Sequence, residues 1–154
     1  MFLKRTPFYF YIYNVIKTAM KKYIKNGISI YVNSLIPFIG YLAMAVYGSI
    51  FWRKEYEKYL ISEDEYDIEL VNKVVNHEGI HKCQMLDFCK WLPIGGTIFY
   101  IMYILEWIVR LFVNGPGKAY RMMSFEQEAK QNETNMDYQK SRERFAFYKN
   151  MKWK

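Results

Sequence analysis

The sequence predicts a small, helix-rich α+β domain with a short β-sheet, and three observations point there. The chain has 154 residues, of which 52% are apolar and 19% aromatic. That suits one packed domain and excludes intrinsic disorder, collagen-like repeats and coiled coils. Ile28 to Trp52 carries no charge but is interrupted by Asn33, Ser34, Pro37, Gly40, Gly48 and Ser49, a pattern of buried strands and turns more than of a membrane span. Beyond residue 65, apolar positions recur at helical spacing between segments broken by Gly and Pro.

Residues 1–27 form a basic aromatic segment, with Lys4, Arg5, Lys17, Lys21, Lys22 and Lys25 and no acid. Such a segment suits the surface of an anionic membrane, or is simply a solvated end. Its charges interrupt the apolar run and no small-residue cleavage site follows, so no cleavable signal peptide is expected. The domain proper is placed at residues 28–150. Within it, 40–53 reads as the short sheet and 55–66 as an acidic, polar connection. A helix is expected over 68–89, with Leu70, Val71, Val74 and Val75 on its apolar side. Leu92-Pro93-Ile94-Gly95-Gly96 stops it.

The run from Thr97 to Val113 has only Glu106 and Arg110 as charges and reads as a buried or membrane-facing helix, closed by Asn114-Gly115-Pro116-Gly117. Ser124-Phe125-Glu126-Gln127 fits a capping box, so another helix is expected from 124. Phe145 to Tyr148 suggests a last one. A cytoplasmic or membrane-associated protein follows from this reading. Nucleic acid is not an expected partner, because no basic stripe or known binding motif stands out. Cys83 and Cys89, six apart in a helix, lie about 9 Å apart along its axis, too far for a disulfide.

The two histidines of the chain stand as His77-Glu78-Gly79-Ile80-His81, the pattern H-E-x-x-H. On a helix the i, i+4 spacing puts both imidazoles on one face, where they can hold one zinc ion. Glu78, rotated by about 100°, can meet an activated water without ligating the ion and can carry its proton. Neutral imidazoles are needed, so binding should weaken below about pH 6.5. Gly79, unusual in a helix interior, leaves room for a neighbouring strand or a substrate. A catalytic zinc needs a third protein ligand and an open position. The downstream candidates are Glu106, Glu126 and Glu128. Glu106 has a partner four residues on in Arg110. Glu126 and Glu128 diverge by about 200° on a helix and cannot both face one ion. Phe125 and Ala129 share a packed face that Glu126 flanks, while Glu128 turns towards the more polar side with Gln131. Gln84 can orient a ligand, and Tyr103 or Tyr120 can serve as an oxyanion donor.

His77-Glu-x-x-His81 followed by Ser124-Phe-Glu-Gln-Glu-Ala129 resembles the gluzincin metallopeptidases of the CAAX prenyl protease and heat-shock protease type, whose second motif reads roughly S-F-E-x-x-A-D. The resemblance implies a zincin-like fold and makes the Glu after the Phe, here Glu126, the third zinc ligand. Lys130 stands where that family has Asp. A closer resemblance is to small bacterial and phage proteins with N-H-E-x-I-H-x-x-Q, F-Y-x-x-Y-x-x-E and A-Y-x-x-x-S-F-E-x-E-A, carried here by Asn76–Gln84, Phe99–Glu106 and Ala119–Ala129. It covers roughly residues 40–150 and implies a minimal zincin. The expected activity is zinc-dependent hydrolysis of a peptide or protein substrate with Glu78 as general base. The rival expectation is a non-catalytic membrane-associated or structural protein in which zinc staples the fold.

Overall fold

The computed structural model describes residues 20–37, 40–89 and 94–151. It is a helix-rich α+β domain whose sheet comes first in the chain. The strands are β1 (Lys22–Lys25), β2 (Ile28–Asn33), β3 (Ala43–Val46) and β4 (Ser49–Arg53), in the spatial order β1-β2-β4-β3. Two antiparallel hairpins, β1/β2 and β3/β4, join in parallel through β2 and β4. Both turns have two residues at positive φ, Asn26-Gly27 and Tyr47-Gly48, the backbone that matches strand twist in a tight hairpin. Glycine takes the second position of each without a Cβ penalty.

The sheet is therefore larger than the expected 40–53. Its first hairpin crosses the boundary drawn at residue 27, and Lys22, exposed, and Lys25, half-buried, belong to an edge strand, where charge discourages further pairing. The rest of the basic segment, residues 1–19, lies outside the described residues. The charge-free run from Ile28 supplies three strands, not a membrane span.

Most of the connection expected at 55–66 is helical: a 3-10 turn over Lys54–Tyr56 and then α1 (Glu57–Ile61). Asp64 caps the long α2 (Glu65–Cys89), its carboxylate accepting the N–H groups of Tyr66 at 3.0 Å and Asp67 at 3.3 Å. One side of α2 packs Val71 and Val75 against Ile30, Val32, Ile50 and Trp52 of the sheet. Further along, Met85 and Phe88 enter an aromatic core with Phe99, Met123, Phe125 and Phe147.

The next helix, α3 (Gly95–Asn114), starts where α2 ends; Lys90 to Pro93, part of the expected stop, lie outside the described residues. A Cβ on Gly95 would come within 2.4 Å of the backbone of Phe88 and Cys89, so only glycine allows this close approach. Gly115 ends α3 with φ 75° and its N–H on the Leu111 carbonyl. There follow α4 (Pro116–Ala119), a 3-10 turn, α5 (Ser124–Asn132) and α6 (Tyr138–Ser141). The expected last helix is a 3-10 turn over Ala146–Asn150, anchored by Phe147, whose ring centroid lies 4.2 Å from that of Phe125.

Ser124 opens α5, but not through a capping box. Glu106 of α3 reaches across and accepts both the Ser124 N–H at 2.8 Å and its hydroxyl at 2.7 Å. A carboxylate from another helix does the capping, and it favours the helix dipole as well. Arg110 pairs with Glu106 at i+4, as the sequence suggested. Among the described residues, α3 is the one helix long and apolar enough to cross a membrane, and most of it is not covered by the domain.

Candidate metal centre

The α5 helix crosses α2 so that its first turn lies over the histidines. His77 Nε2 and His81 Nε2 are 3.2 Å apart. Glu126 puts Oε2 3.4 Å from the former and Oε1 3.1 Å from the latter. Bonds of roughly 2.0–2.1 Å to a tetrahedral ion set its donor atoms about 3.3 Å apart. The His77–His81 edge fits that figure; each ring meets a different oxygen of Glu126, and one donor atom from each of the three residues lies within 4.8 Å of the others. The His2Glu donor set suits a borderline divalent cation such as zinc. Glu106 and Glu128 are not brought to this point.

The other ring nitrogens are fixed by acceptors. His77 Nδ1 lies 3.1 Å from Glu133 Oε2 and His81 Nδ1 lies 2.8 Å from Gln84 Oε1. The Gln84 amide cannot be turned round, because its NH2 donates to two acceptors, the Phe125 carbonyl at 3.0 Å and Glu128 Oε2 at 3.1 Å. Both Nδ1 atoms therefore carry the proton, and both Nε2 lone pairs face Glu126. Two lone pairs and a carboxylate within 3.4 Å repel one another unless a positive charge lies between them. A proton is one such charge: burial opposes it on His81, but Glu126 outweighs burial and pushes that pKa up to about 9. Glu126 is held well below the usual carboxylate range, its burial outweighed by the two histidines.

Glu78 is buried beside this cluster and accepts the Ala45 N–H of β3 at 2.6 Å. Burial pushes its carboxyl above the usual value, more than the histidines draw it down. Tyr103 of α3 donates its hydroxyl proton to Glu126 and steadies that carboxylate. Burial and the same carboxylate push the Tyr120 hydroxyl far up, keeping it a neutral donor at the edge of the cluster.

Glu128 lies buried, not on a polar side. Arg142 binds it at 2.5 and 3.2 Å and Tyr138 at 3.1 Å. It supports His81 through Gln84. The space at Gly79 serves neither strand nor substrate: a Cβ there would meet the Gln139 amide of α6 at 2.4 Å. Gln139 in turn donates to Asn76 Oδ1 at 2.7 Å, and Asn76 donates to the carbonyls of Asn132, Glu133 and Asn135. This fastens the far end of α5 onto α2.

Sequence reasoning missed Glu133. The signal was there: it stands seven residues after Glu126, two turns along the same face. Lys130, at the position where the resembling family has Asp, pairs with Glu133 at 2.8 Å, and Lys73 joins at 3.3 Å. No protein-family model, curated protein or solved structure matches this chain.

Proposed function

We propose that this chain is a zinc-dependent metallopeptidase, located in the cytoplasm or against a membrane. The observation that carries the reading is the convergence of His77 Nε2, His81 Nε2 and Glu126 with both Nδ1 protons tied back. These three residues would hold the ion, which when bound supplies Lewis acidity towards a carbonyl and lowers the pKa of water. Glu78 then does the proton work. Its buried carboxylate, raised in pKa and fixed by Ala45, takes a proton from the attacking water and passes it to the leaving amine. Tyr103 keeps Glu126 aligned, and Gln84 and Glu133 keep the rings aligned.

The second reading, a structural metal that staples the fold, calls for a fourth protein ligand. Three His and Glu donors gather among the described residues, which favours the open, catalytic type. The test uses zinc content and hydrolysis of a mixture of fluorescence-quenched peptides. Glu78→Gln should keep about one zinc per chain and lose at least a hundredfold in rate. Equal hydrolysis by wild type and Glu78→Gln would sink the peptidase reading, and a zinc-free wild type would sink both.

A further inference from the structure

We propose that α3 lies flat on an anionic membrane, with its axis parallel to the bilayer plane and its outer face in the acyl region. The inference rests on the membrane location proposed above. The charge distribution of this helix is inverted. Its two charged side chains, Glu106 and Arg110, are turned inward and are 7% and 0% exposed. They pair with each other, and Glu106 also holds Ser124. Ile101, Ile104, Leu105, Ile108 and Phe112 face outward, with Phe112 at 87% exposure. A water-facing helix does the reverse, and a continuous apolar face of this length marks a partner surface.

Charge selects lipid as the occupant. No acid occurs between Trp107 and Phe125, exposed Lys118 and Arg121 follow the helix, and the chain carries +7. Anionic headgroups attract such a surface, whereas a second copy of the same chain repels it.

The orientation follows from how the inner face is fastened. Phe99 sits in the aromatic core, Tyr103 meets Glu126, Glu106 meets Ser124 and Arg110 is fully buried. These attachments run along about 16 Å of helix. A spanning α3 would draw exposed charges of the attached helices, such as Glu69 of α2 and Lys130 of α5, into the acyl region, where they are expensive. A helix lying in the plane avoids this. Since Tyr103 reaches directly from α3 to Glu126, the metal centre lies about one helix diameter, ~10 Å, from lipid. Peptide segments held at a membrane surface are then the substrate class the centre meets.

The experiment uses the full chain with vesicles of phosphatidylcholine, alone or mixed with phosphatidylglycerol. The wild type should bind the anionic vesicles, and Ile104→Glu with Ile108→Glu should bind at least tenfold more weakly at unchanged zinc content. Undiminished binding by that variant overturns the assignment of this face. Leu105→Trp and Phe112→Trp should report the same shallow depth with lipids brominated at graded positions. Depths differing by about 10 Å, with residue 105 at the bilayer centre, overturn the in-plane orientation in favour of a span while leaving the membrane location intact. This second measurement decides even if the double variant fails to fold. A wild type that ignores both vesicles, or that forms a dimer through this face, overturns the membrane location itself. The peptidase reading is scored separately by zinc content and Glu78→Gln.

Discussion

Glu133 accepts the Nδ1 proton of His77 at 3.1 Å, seven residues beyond the carboxylate that meets the same ring at Nε2. One helix and its C-terminal cap thus grip this imidazole from both sides. Such outer carboxylates typically contribute 10–100-fold in metal affinity. Glu133→Gln should weaken zinc binding by about tenfold, and Gln84→Ala, which frees His81 to rotate, should do the same. Competition with a chromophoric chelator measures both. Unchanged affinity in both variants would show that the rings are held by packing alone.

The three candidate glutamates should separate into different failures. Glu126→Gln should lose zinc by at least tenfold with the fold intact. Glu106→Gln removes the charge that pairs with Arg110 and caps α5, so it should lower stability by about 1–3 kcal/mol and leave zinc stoichiometry alone. Glu128→Gln leaves Arg142 buried with only Asp87 as a charged partner, and a loss of about 3–5 kcal/mol is expected. Thermal melts and metal analysis on the same samples decide. Loss of zinc by Glu106→Gln, with Glu126→Gln unaffected, would contradict the centre described above.

Proton and metal should compete at His81. In metal-free protein its pKa stands above the ordinary 6.5, at about 9, because Glu126 outweighs burial. The sign follows: the stabilisation is complete below pH 6.5 and is lost as pH rises through about 9. The melting temperature of metal-free protein should therefore fall over that window. Zinc binding at pH 7 should release a proton, seen as buffer-dependent binding heat, and affinity should climb up to about pH 9. This moves the expected onset of weakening up from about 6.5. A flat melting profile for metal-free protein between these values would contradict the geometry of the pair.

Gly79→Ala should destabilise the wild type, although alanine favours a helix by about 1 kcal/mol. The new methyl displaces the Gln139 amide from Asn76. In a Gln139→Ala background the same change should become stabilising by roughly that amount. A double-mutant cycle in urea measures this, and a cycle without coupling would mean that Gly79 is not kept by Gln139.

The parts of this protein legible in its sequence are those set by local periodicity. His77, Glu78 and His81 acquire their relative directions from helical geometry alone, so their pattern specified half the centre before any fold was known. The same holds for the C-terminal end of α3, because Gly115 and Pro116 stop a helix whatever surrounds it. The Asn26-Gly27 turn was equally local, but its hairpin lay hidden in a segment dominated by lysine charge.

Tertiary structure decided which carboxylate is carried to the histidines. The sequence favoured Glu126 over Glu106 and Glu128 through the packed face it flanks and the resemblance, but the meeting itself comes from the crossing of α5 over α2, which turns Glu126 to the histidines, Glu128 to Arg142 and Glu106 to Ser124. That crossing is held by Asn76, steadied by Gln139, and by the Gln84 amide on the Phe125 carbonyl, contacts between residues far apart in the chain. The parallel pairing of β2 with β4 and the outward turn of the α3 apolar face are of the same kind. Spacing along a chain fixes the direction of a side chain within its own helix, but which two faces meet depends on packing that no single segment contains.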